Sequence, residues 1–379
     1  MMKNQRRKFI KKSASLAAFS LAGQNILANQ TYTTPKRNPT FERDLGMEMC
    51  LAYFWGVEPR KTALARQMDV LGAVGGINPT MAGLKGTKPW EKAVIRGVKA
   101  AWEKEGLSLK VIEGPPSLGT QTKLGLDGRD EEIENFITLM KNLSEEDIHI
   151  ICYNWMPVIN WARTTMDRPS RGGALVSAFD IEDIENQEKI TEYGELTHEL
   201  MWQNLDYFLN AVVPEAEKYG VKLALHPDDP PVDGLRGIPR IMNSVAAFKK
   251  LIDLYPSPSN GITFCQGSFA SMGKEGEGED IPEAIRYFGK RETIHFVHFR
   301  DVKGHNTNFE ETFHDDGKTD MFEAMKCYYD IGFKGPIRPD HVPTMAGDSN
   351  EKPGYSTIGT LFAIGYMRGL MEGVQKQSI

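Results

Sequence analysis

Four short apolar runs in the second half of the chain each end in a side chain that can bind a metal or move a proton. The runs VKLALH, GITFC, TIHFVH and PIRPD end at His226, Cys265, His298 and Asp340. Two imidazoles, a thiolate and a carboxylate suit Mn, Fe(II), Co, Ni or Zn, and they suit Ca or Mg poorly because those ions prefer oxygen ligands. One histidine or cysteine at a strand end is more often structural, but four together favour a metal site. We therefore predict one divalent ion that acts as a Lewis acid.

The spacing of these four residues indicates how a fold could bring them together. They are separated by 39, 33 and 42 residues, which is the length of one strand, one helix and their loops. In a closed barrel of parallel strands, the carboxyl ends of the strands meet at one mouth, where such enzymes carry their active sites. We therefore expect the four side chains to converge at that mouth.

Strand and helix patterns alternate along the chain and predict an α/β fold, a (β/α)8 TIM barrel in a single domain of residues 46–379. The predicted strands are 46–53, 70–77, 108–113, 148–154, 221–226, 261–265, 293–299 and 335–340. The predicted helices are 62–68, 90–103, 131–143, 186–219, 245–254, 281–288, 321–330 and 358–373. A polar, proline-containing segment, 29–45, is interpreted as a linker before the barrel.

Composition narrows the class of protein. Of the 379 residues, 40% are hydrophobic and 25% are charged, as in soluble globular proteins. The net charge of -6 argues against a nucleic-acid-binding surface. After the N-terminal segment, the chain has no run of the roughly 18 apolar residues that a membrane span requires. A small-molecule partner is therefore expected, and whether the chain forms a homodimer or a higher homo-oligomer is left open.

The N-terminal residues differ from the rest of the chain. Six basic residues between Lys3 and Lys12 precede an apolar run from Ala14 to Ala22, a pattern typical of a secretory signal peptide. Arg6 and Arg7 also fit the twin-arginine export pattern. We predict a signal peptide over residues 1–28 and a periplasmic location; the alternatives are a disordered basic arm or an amphipathic helix.

The connection after the fourth strand is unusually long. Between Tyr153 and Tyr219 it contains two tryptophans and an arginine, Trp155, Trp161 and Arg163. An extended connection at the mouth of a barrel commonly forms a lid or a wall of the substrate pocket. These side chains are therefore candidates for holding a polar ligand, with Arg163 as a substrate-binding residue. The alternative is that they anchor the loop to itself.

Four further charged residues lie beside the predicted ligands and are candidates for substrate binding. Asp228 and Asp229 follow His226 in an acidic, proline-rich loop that could orient a ligand or bind sugar hydroxyls. Arg338 precedes Asp340 by two residues, so both point to one face of the strand and Arg338 could pair with a substrate carboxylate. Alternatively, Arg338 is a counter-ion for Asp340 or Asp229. Arg300 follows His298 by the same interval.

Two residues near the predicted ligands could carry proton transfer. His341 directly follows Asp340, and Tyr355 lies in the last connection of the barrel. An imidazole and a phenol beside a metal-bound hydroxy acid would supply a base and an acid for removal of the α-proton and loss of hydroxide. If Tyr355 is considered without its neighbours, a structural role is favoured over a catalytic one.

Several sequence blocks resemble the mannonate dehydratase family of xylose-isomerase-like barrels. They are CYNWMPVINWARTTMD (152–167), LHPDDPP (225–231), GIPRI (237–241), NGITFCQGS (260–268), IHFVHFRD (294–301), FHDDGKTDM (313–321), IRPDH (337–341) and PGY (353–355). The resemblance implies elimination of water from D-mannonate to give 2-dehydro-3-deoxy-D-gluconate on a Mn(II) or Fe(II) ion. It also implies metal ligation by His226, Cys265, His298 and Asp340, and acid and base roles for His341 and Tyr355.

The chain departs from the family pattern near two of these blocks. It has Asn78 and Pro79 where the family has a histidine pair, and Val342 where the family has a glycine after the aspartate-histidine pair. These differences leave open which aldonate or hexuronate-derived sugar acid is the substrate. Two other functions are also left open: a metal-dependent isomerase or epimerase on the same barrel, and a periplasmic sugar-acid binding protein without turnover.

Overall fold

The computed structural model describes residues 42–276 and 278–378. The predicted signal peptide, 1–28, lies outside these residues, as does most of the predicted linker, 29–45. At the described end of that linker, a 3-10 turn, Arg43–Gly46, buries Leu45, and Arg368 of the last helix binds Asp44. In the described part of the chain, no helix has both the length and the apolar character needed to cross a bilayer.

Eight parallel strands close into a barrel, which confirms the predicted (β/α)8 fold. The strands of the chain are β1 (Glu48–Ala52), β2 (Gly72–Gly75), β3 (Ser108–Glu113), β4 (Ile150–Asn154), β5 (Thr165–Pro169), β6 (Leu175–Asp180), β7 (Lys222–His226), β8 (Gly234–Leu235), β9 (Ile238–Pro239), β10 (Asn260–Cys265), β11 (Ile294–Phe299), β12 (Val302–His305), β13 (Asn308–Glu311) and β14 (Pro336–Pro339). The barrel order is β1-β14-β11-β10-β7-β4-β3-β2. Each of the eight predicted strands is one of these barrel strands.

The helices pack around the barrel and enclose a larger core outside it. They are α1 (Pro59–Gln67), α2 (Lys92–Lys104), α3 (Thr120–Leu124), α4 (Arg129–Ser144), α5 (Glu182–Glu185), α6 (His198–Tyr219), α7 (Val245–Leu254), α8 (Gln266–Ser271), α9 (Ile281–Gly289), α10 (Met321–Asp330) and α11 (Thr357–Gln377). A small separate cluster that includes Cys50, Val111 and Phe296 fills the barrel interior. A Cβ atom at Gly72 would lie 2.3 Å from Cys50 Sγ, so this strand position requires glycine.

The long helix after β4 begins later than the sequence pattern predicts. The expected start at residue 186 is wrong, because α6 begins at His198. Thr197 is the N-cap of α6, because its hydroxyl accepts a hydrogen bond from Leu200 N at 3.1 Å. Residues 186–197 form a connection without helix or strand, in which Ile190 N donates to the Arg236 carbonyl at 2.9 Å.

A four-stranded antiparallel sheet, in the order β12-β13-β6-β5, lies outside the barrel. It joins the connection that follows β4 to the connection that follows β11, and Phe309 pairs with Phe179 in its register. The sequence analysis did not predict this sheet, because its strands are short and do not follow the strand-helix spacing. It supplies Met166 to the wall of the barrel cavity.

Candidate active site

A cavity of about 490 Å³ lies at the carboxyl ends of the barrel strands. Seven predicted site residues line it: His226, Asp229, His298, Arg338, Asp340, His341 and Tyr355. The other lining residues are Phe54, Trp55, Glu113, Gly114, Cys152, Tyr153, Asn154, Met156, Asn160, Trp161, Met166 and Pro353. The volume lies within the range of small-molecule sites.

The structure brings the four predicted metal ligands together. Donor atoms of His226, Cys265 and His298 all lie within 4.8 Å of one another. Asp340 Oδ2 lies 3.8 Å from His298 Nδ1 and 4.0 Å from Cys265 Sγ. The barrel register accounts for this, since Cys265 is paired with His298 on the neighbouring strand.

The surroundings of these residues fit a divalent transition metal. His226 Nδ1 donates to the Pro227 carbonyl at 2.7 Å, which leaves Nε2 as a lone-pair donor, the usual arrangement of a metal-binding histidine. Burial lowers the pKa of His226 although nearby carboxylates oppose it, and a neutral imidazole is the form that binds metals. His298 Nε2 is buried and has no hydrogen-bond partner within the described residues.

A second combination of donors, Glu113, Cys152 and His298, also lies within 4.8 Å, but it fits a metal less well. Burial and Glu113 raise the pKa of Cys152 well above its usual value, which disfavours the thiolate. Arg338 Nη2 donates to Glu113 Oε1 at 2.9 Å and to Oε2 at 3.2 Å. The glutamate is therefore already paired with a buried cation.

Arg338 bridges Glu113 and Asp340 at the floor of the cavity. Its Nη1 donates to Asp340 Oδ1 at 2.5 Å. Burial would raise the pKa of Asp340, but Arg338, His341 and other cations hold it well below the usual value. Burial would also raise the pKa of Glu113, but Arg338 and His298 outweigh it and lower this pKa to about 2. Both carboxyl groups are therefore ionised. The sequence analysis missed Glu113, although it ends β3 in the same way that the predicted ligands end their strands.

His341 and Tyr355 lie side by side at the wall of the cavity. Their ring centroids are 5.7 Å apart at 90°, and Tyr355 Oη donates to Asp340 Oδ1 at 3.2 Å. Burial and the Asp340 carboxylate raise the pKa of Tyr355 well above its usual value. His341 Nδ1 lies 2.9 Å from Glu311 Oε1, and its Nε2 lies 3.9 Å from Asp340 Oδ1.

Arg163, Asp229, Arg300 and Glu311 form a buried network of two cations and two anions beside His341. Arg163 donates to Asp229 Oδ1 and to Glu311 Oε1, each at 2.5 Å. Arg300 donates to Asp229 Oδ2 at 2.8 Å and to Glu311 Oε2 at 2.7 Å. Of these four residues, Asp229 lines the cavity. Both guanidinium groups are thus paired inside the protein. The sequence analysis missed Glu311, because β13 carries no recognisable motif.

Asp228 points away from the cavity. Its Oδ2 accepts from Met242 N at 2.7 Å, and its Oδ1 lies 3.8 Å from Arg240 Nη1. Burial raises the pKa of Asp228 to about 6, and Arg240 opposes the shift. The structure therefore places Asp228 where it holds the loop after β7, and places Asp229 at the cavity wall.

The two tryptophans of the long connection occupy different places. Trp155 is fully buried and packs against Phe208 of α6 with ring centroids 5.4 Å apart. Trp161 lines the cavity, and its ring lies 5.4 Å from that of His341. The connection thus forms part of the cavity wall through Trp161, and Trp155 anchors it to α6.

The comparison with known proteins agrees with this geometry. The D-mannonate dehydratase (UxuA) family model matches residues 47–192 and 183–379. Mannonate dehydratase 2 of Halalkalibacterium halodurans is 35% identical over 86% of this chain and 95% of that protein. Mannonate dehydratase of Thermotoga petrophila is 35% identical over 86% of this chain and 98% of that protein.

The chain belongs to the D-mannonate dehydratase family. A crystal structure of mannonate dehydratase from Streptococcus suis serotype 2 superposes with a TM-score of 0.79 and 32% identity, over 88% of this chain and 96% of that one. A D-tagatose 3-epimerase-like protein superposes with a TM-score of 0.53 and 14% identity, over 88% and 100% of the two chains, which shows a shared fold alone. Membership of the mannonate dehydratase family makes the chain a hydro-lyase.

Proposed function

We propose that this protein removes water from D-mannonate to give 2-dehydro-3-deoxy-D-gluconate, with Mn(II) or Fe(II) bound by His226, Cys265, His298 and Asp340. The observation that supports the proposal is that these four donors lie together beside a cavity that His226, His298, Asp340, His341 and Tyr355 line, with Cys265 just behind its wall. The chain also belongs to the D-mannonate dehydratase family.

The reaction requires one proton removal and one proton delivery. The C2–H bond breaks and its electrons form a C2–C3 double bond as the C3–O bond breaks; the hydroxyl leaves as water once it is protonated. The resulting enol then becomes the 2-keto acid by moving its proton to C3. A divalent ion in the site would bind substrate oxygens and stabilise the negative charge that develops next to the carboxylate.

His341 is suited to remove the C2 proton. An imidazole at the cavity wall can take up a proton from a bound substrate as a general base. The bond from Nδ1 to Glu311 leaves Nε2 to accept the proton. Tyr355 is suited to protonate the leaving hydroxyl, because burial and the Asp340 carboxylate raise the pKa of this phenol, which therefore keeps its proton.

Substrate orientation is assigned to the polar and aromatic groups of the cavity wall. Arg338 carries positive charge at the cavity floor and is the candidate partner for the substrate carboxylate. Its Nη atoms already donate to Asp340 and Glu113, so it acts on the substrate through its charge rather than through a free pair of N–H groups. Asp229 lines the wall and can accept from sugar hydroxyls. Arg163 and Arg300 are buried behind Asp229, so they act on the substrate through the charge and position of that carboxylate.

The test is turnover by the purified protein with D-mannonate and a panel of other aldonates. The protein is first stripped with a chelator and then reloaded with Mn(II) or Fe(II). We expect a 2-keto-3-deoxy acid from D-mannonate in the reloaded protein and none in the stripped protein. A product isomerised without loss of water would favour an isomerase or epimerase. Tight binding of a sugar acid without product would favour a binding protein.

We also propose export by the twin-arginine route, on the basis of Arg6, Arg7 and the apolar run that follows them. Residues 1–45 fused to a reporter protein should carry it to the periplasm. Replacing Arg6 and Arg7 together with lysine should keep it in the cytoplasm. A wild-type fusion that stays in the cytoplasm would overturn this proposal.

A further inference from the structure

The Glu311 carboxylate reaches His341, a residue of the cavity wall, from the sheet outside the barrel. It ends β13, its side chain is 1% exposed, and its Oε1 lies 2.9 Å from His341 Nδ1. None of the sequence blocks that identify the family contains it. Its position next to a residue with a proposed chemical role raises the question of what the carboxylate does there.

One answer is a second cation site, since donor atoms of Asp229, Glu311 and His341 lie within 4.8 Å of one another. The two buried guanidinium groups argue against it. Arg163 and Arg300 each bind both carboxylates, at distances between 2.5 and 2.8 Å. Two guanidinium groups thus already bind both carboxylates, and a further cation would be repelled by them. Arg300 Nε also lies 3.0 Å from Asp340 Oδ2.

The other answer is that Glu311 orients the imidazole. A neutral imidazole carries one N–H, and an ionised carboxylate can only accept. Burial would raise the pKa of Glu311, but Arg300, His341 and Arg163 together lower it, so the carboxylate is ionised. In the neutral imidazole, the 2.9 Å contact with this accepting carboxylate requires the proton on Nδ1 and leaves the lone pair on Nε2.

The packing around His341 supports a fixed ring. Trp161 contacts it at a centroid distance of 5.4 Å and 63°, and Tyr355 contacts it at 5.7 Å and 90°. A Cβ atom at Gly354 would lie 3.2 Å from His341 Cδ2, so the glycine leaves room for the ring. These contacts limit the tilt of the ring, while Glu311 determines which nitrogen keeps the proton.

We propose that Glu311 is a positioning residue for the dehydration: through its bond to Nδ1 it directs the Nε2 lone pair of His341 toward the substrate. Arg163 and Arg300 hold Glu311 in place. This inference rests on the proposed function, because it concerns the residue to which that function assigns the base role.

The first test is Glu311→Gln in the metal-loaded protein, with Glu310→Gln as the matched control. Glu310 precedes Glu311 on β13, is partly exposed and lies 3.6 Å from Arg168. We expect Glu311→Gln to lower kcat by about 10- to 100-fold, with KM and metal content unchanged, because the amide can donate to Nδ1 and favour the wrong tautomer. Glu310→Gln should leave all three unchanged. Unchanged kcat in Glu311→Gln would overturn the proposal.

A double substitution separates positioning from a general structural role. If Glu311 acts through the imidazole, Glu311→Gln should cause no further loss of rate in a His341→Asn background. If it acts only by supporting the fold, the residual rate should fall again by the same factor as in the wild-type background. That additive result would overturn the proposal.

The wild-type protein provides a measurement that does not depend on any variant folding. In protein labelled with ¹⁵N-histidine and loaded with Zn(II), two-bond ¹⁵N–¹H correlations report the tautomer of each histidine, and the spectrum of His341→Asn assigns the signal. We expect His341 to carry its proton on Nδ1; a proton on Nε2 would overturn the inference. If the wild-type protein does not dehydrate D-mannonate, the proposed function fails, while this measurement still decides the hydrogen bond.

Discussion

The hydroxyl of Ser268 lies 3.1 Å from the sulfur of Cys265. Ser268 belongs to α8, the short helix that starts directly after β10, so the strand end and the following turn together orient the sulfur. A hydroxyl that donates to the sulfur helps to fix its position beside His226 and His298, the donors with which it is grouped. The bond thus links the local fold after β10 to the proposed metal site.

Cys265→Ser should therefore lose most of the bound metal while the barrel stays folded, because a neutral hydroxyl replaces the thiolate donor. Elemental analysis measures the metal, and circular dichroism checks the fold. Cys327→Ser is the matched control, since Cys327 is a buried thiol of α10 and belongs to none of the donor groups found among the described residues; this variant should keep its metal. Unchanged metal content in Cys265→Ser would contradict the ligand assignment.

His341→Asn should keep the metal and lower kcat by about 100- to 10,000-fold, the range typical for removal of a general base. The asparagine amide keeps part of the polarity of the site but cannot take up a proton. His149→Asn is the control, because His149 is exposed and pairs with Asp147, so its kcat should not change. Turnover close to wild type in His341→Asn would remove this residue from the mechanism.

Arg300→Met should destabilise the protein by about 3 to 5 kcal/mol, because it leaves Asp229 and Glu311 short of one buried cation. Arg168→Met, which breaks a partly exposed pair with Glu310 at 3.6 Å, should change stability by less than about 1 kcal/mol. Urea unfolding of the two variants gives the comparison. Equal losses would show that the buried network contributes no more than a surface ion pair.

Lys61 should make stability depend on pH in the alkaline range. Its side chain is buried, Nζ donates to the Ala52 carbonyl at 2.9 Å, and burial lowers its pKa from 10.5 to about 8, with Glu58 opposing the shift. Between these two values the unfolded chain binds more protons than the folded one, so the free energy of unfolding rises with pH. Below the pKa of the folded state, both states carry the proton, so the free energy of unfolding no longer depends on pH through this lysine.

The measurement compares the free energy of unfolding of the wild type with that of Lys61→Met. The other titrating groups are the same in both proteins, so their contributions cancel in the difference. The difference in unfolding free energy should shift in favour of wild type by about 2 kcal/mol between about pH 7 and about pH 10. A difference that does not change with pH would show that the folded lysine keeps its ordinary pKa.

The barrel and the cluster of candidate ligands could be predicted because both depend on a repeated interval. Residues at the ends of parallel strands converge whatever the loops do, so His226, Cys265, His298 and Asp340 could be grouped from spacing alone. Glu113 carried the same strand-end signal in SLKVIE. It was missed because only the strand ends in the second half of the chain were compared.

Glu311 could not be predicted in this way. It lies on a short strand of the outer sheet, and the residue that it contacts, His341, is 30 positions away. No periodicity relates the two, because their contact depends on how β13 pairs with β6. The predicted start of α6 was wrong for a similar reason: the polar stretch before it is loop, held by hydrogen bonds between Ile190 N and the Arg236 carbonyl and between Arg236 Nε and the Glu188 carbonyl. Tertiary pairing decided both cases.

The outer sheet has a consequence for protein engineering. Its strands come from two connections that are more than 100 positions apart in the chain, and each supplies backbone partners to the other. A chimera that exchanged only one of these connections with a related barrel would leave the other without its hydrogen-bonding edge. Transplanting substrate preference between such enzymes therefore requires both segments to be moved as a pair, although they are discontinuous in the gene.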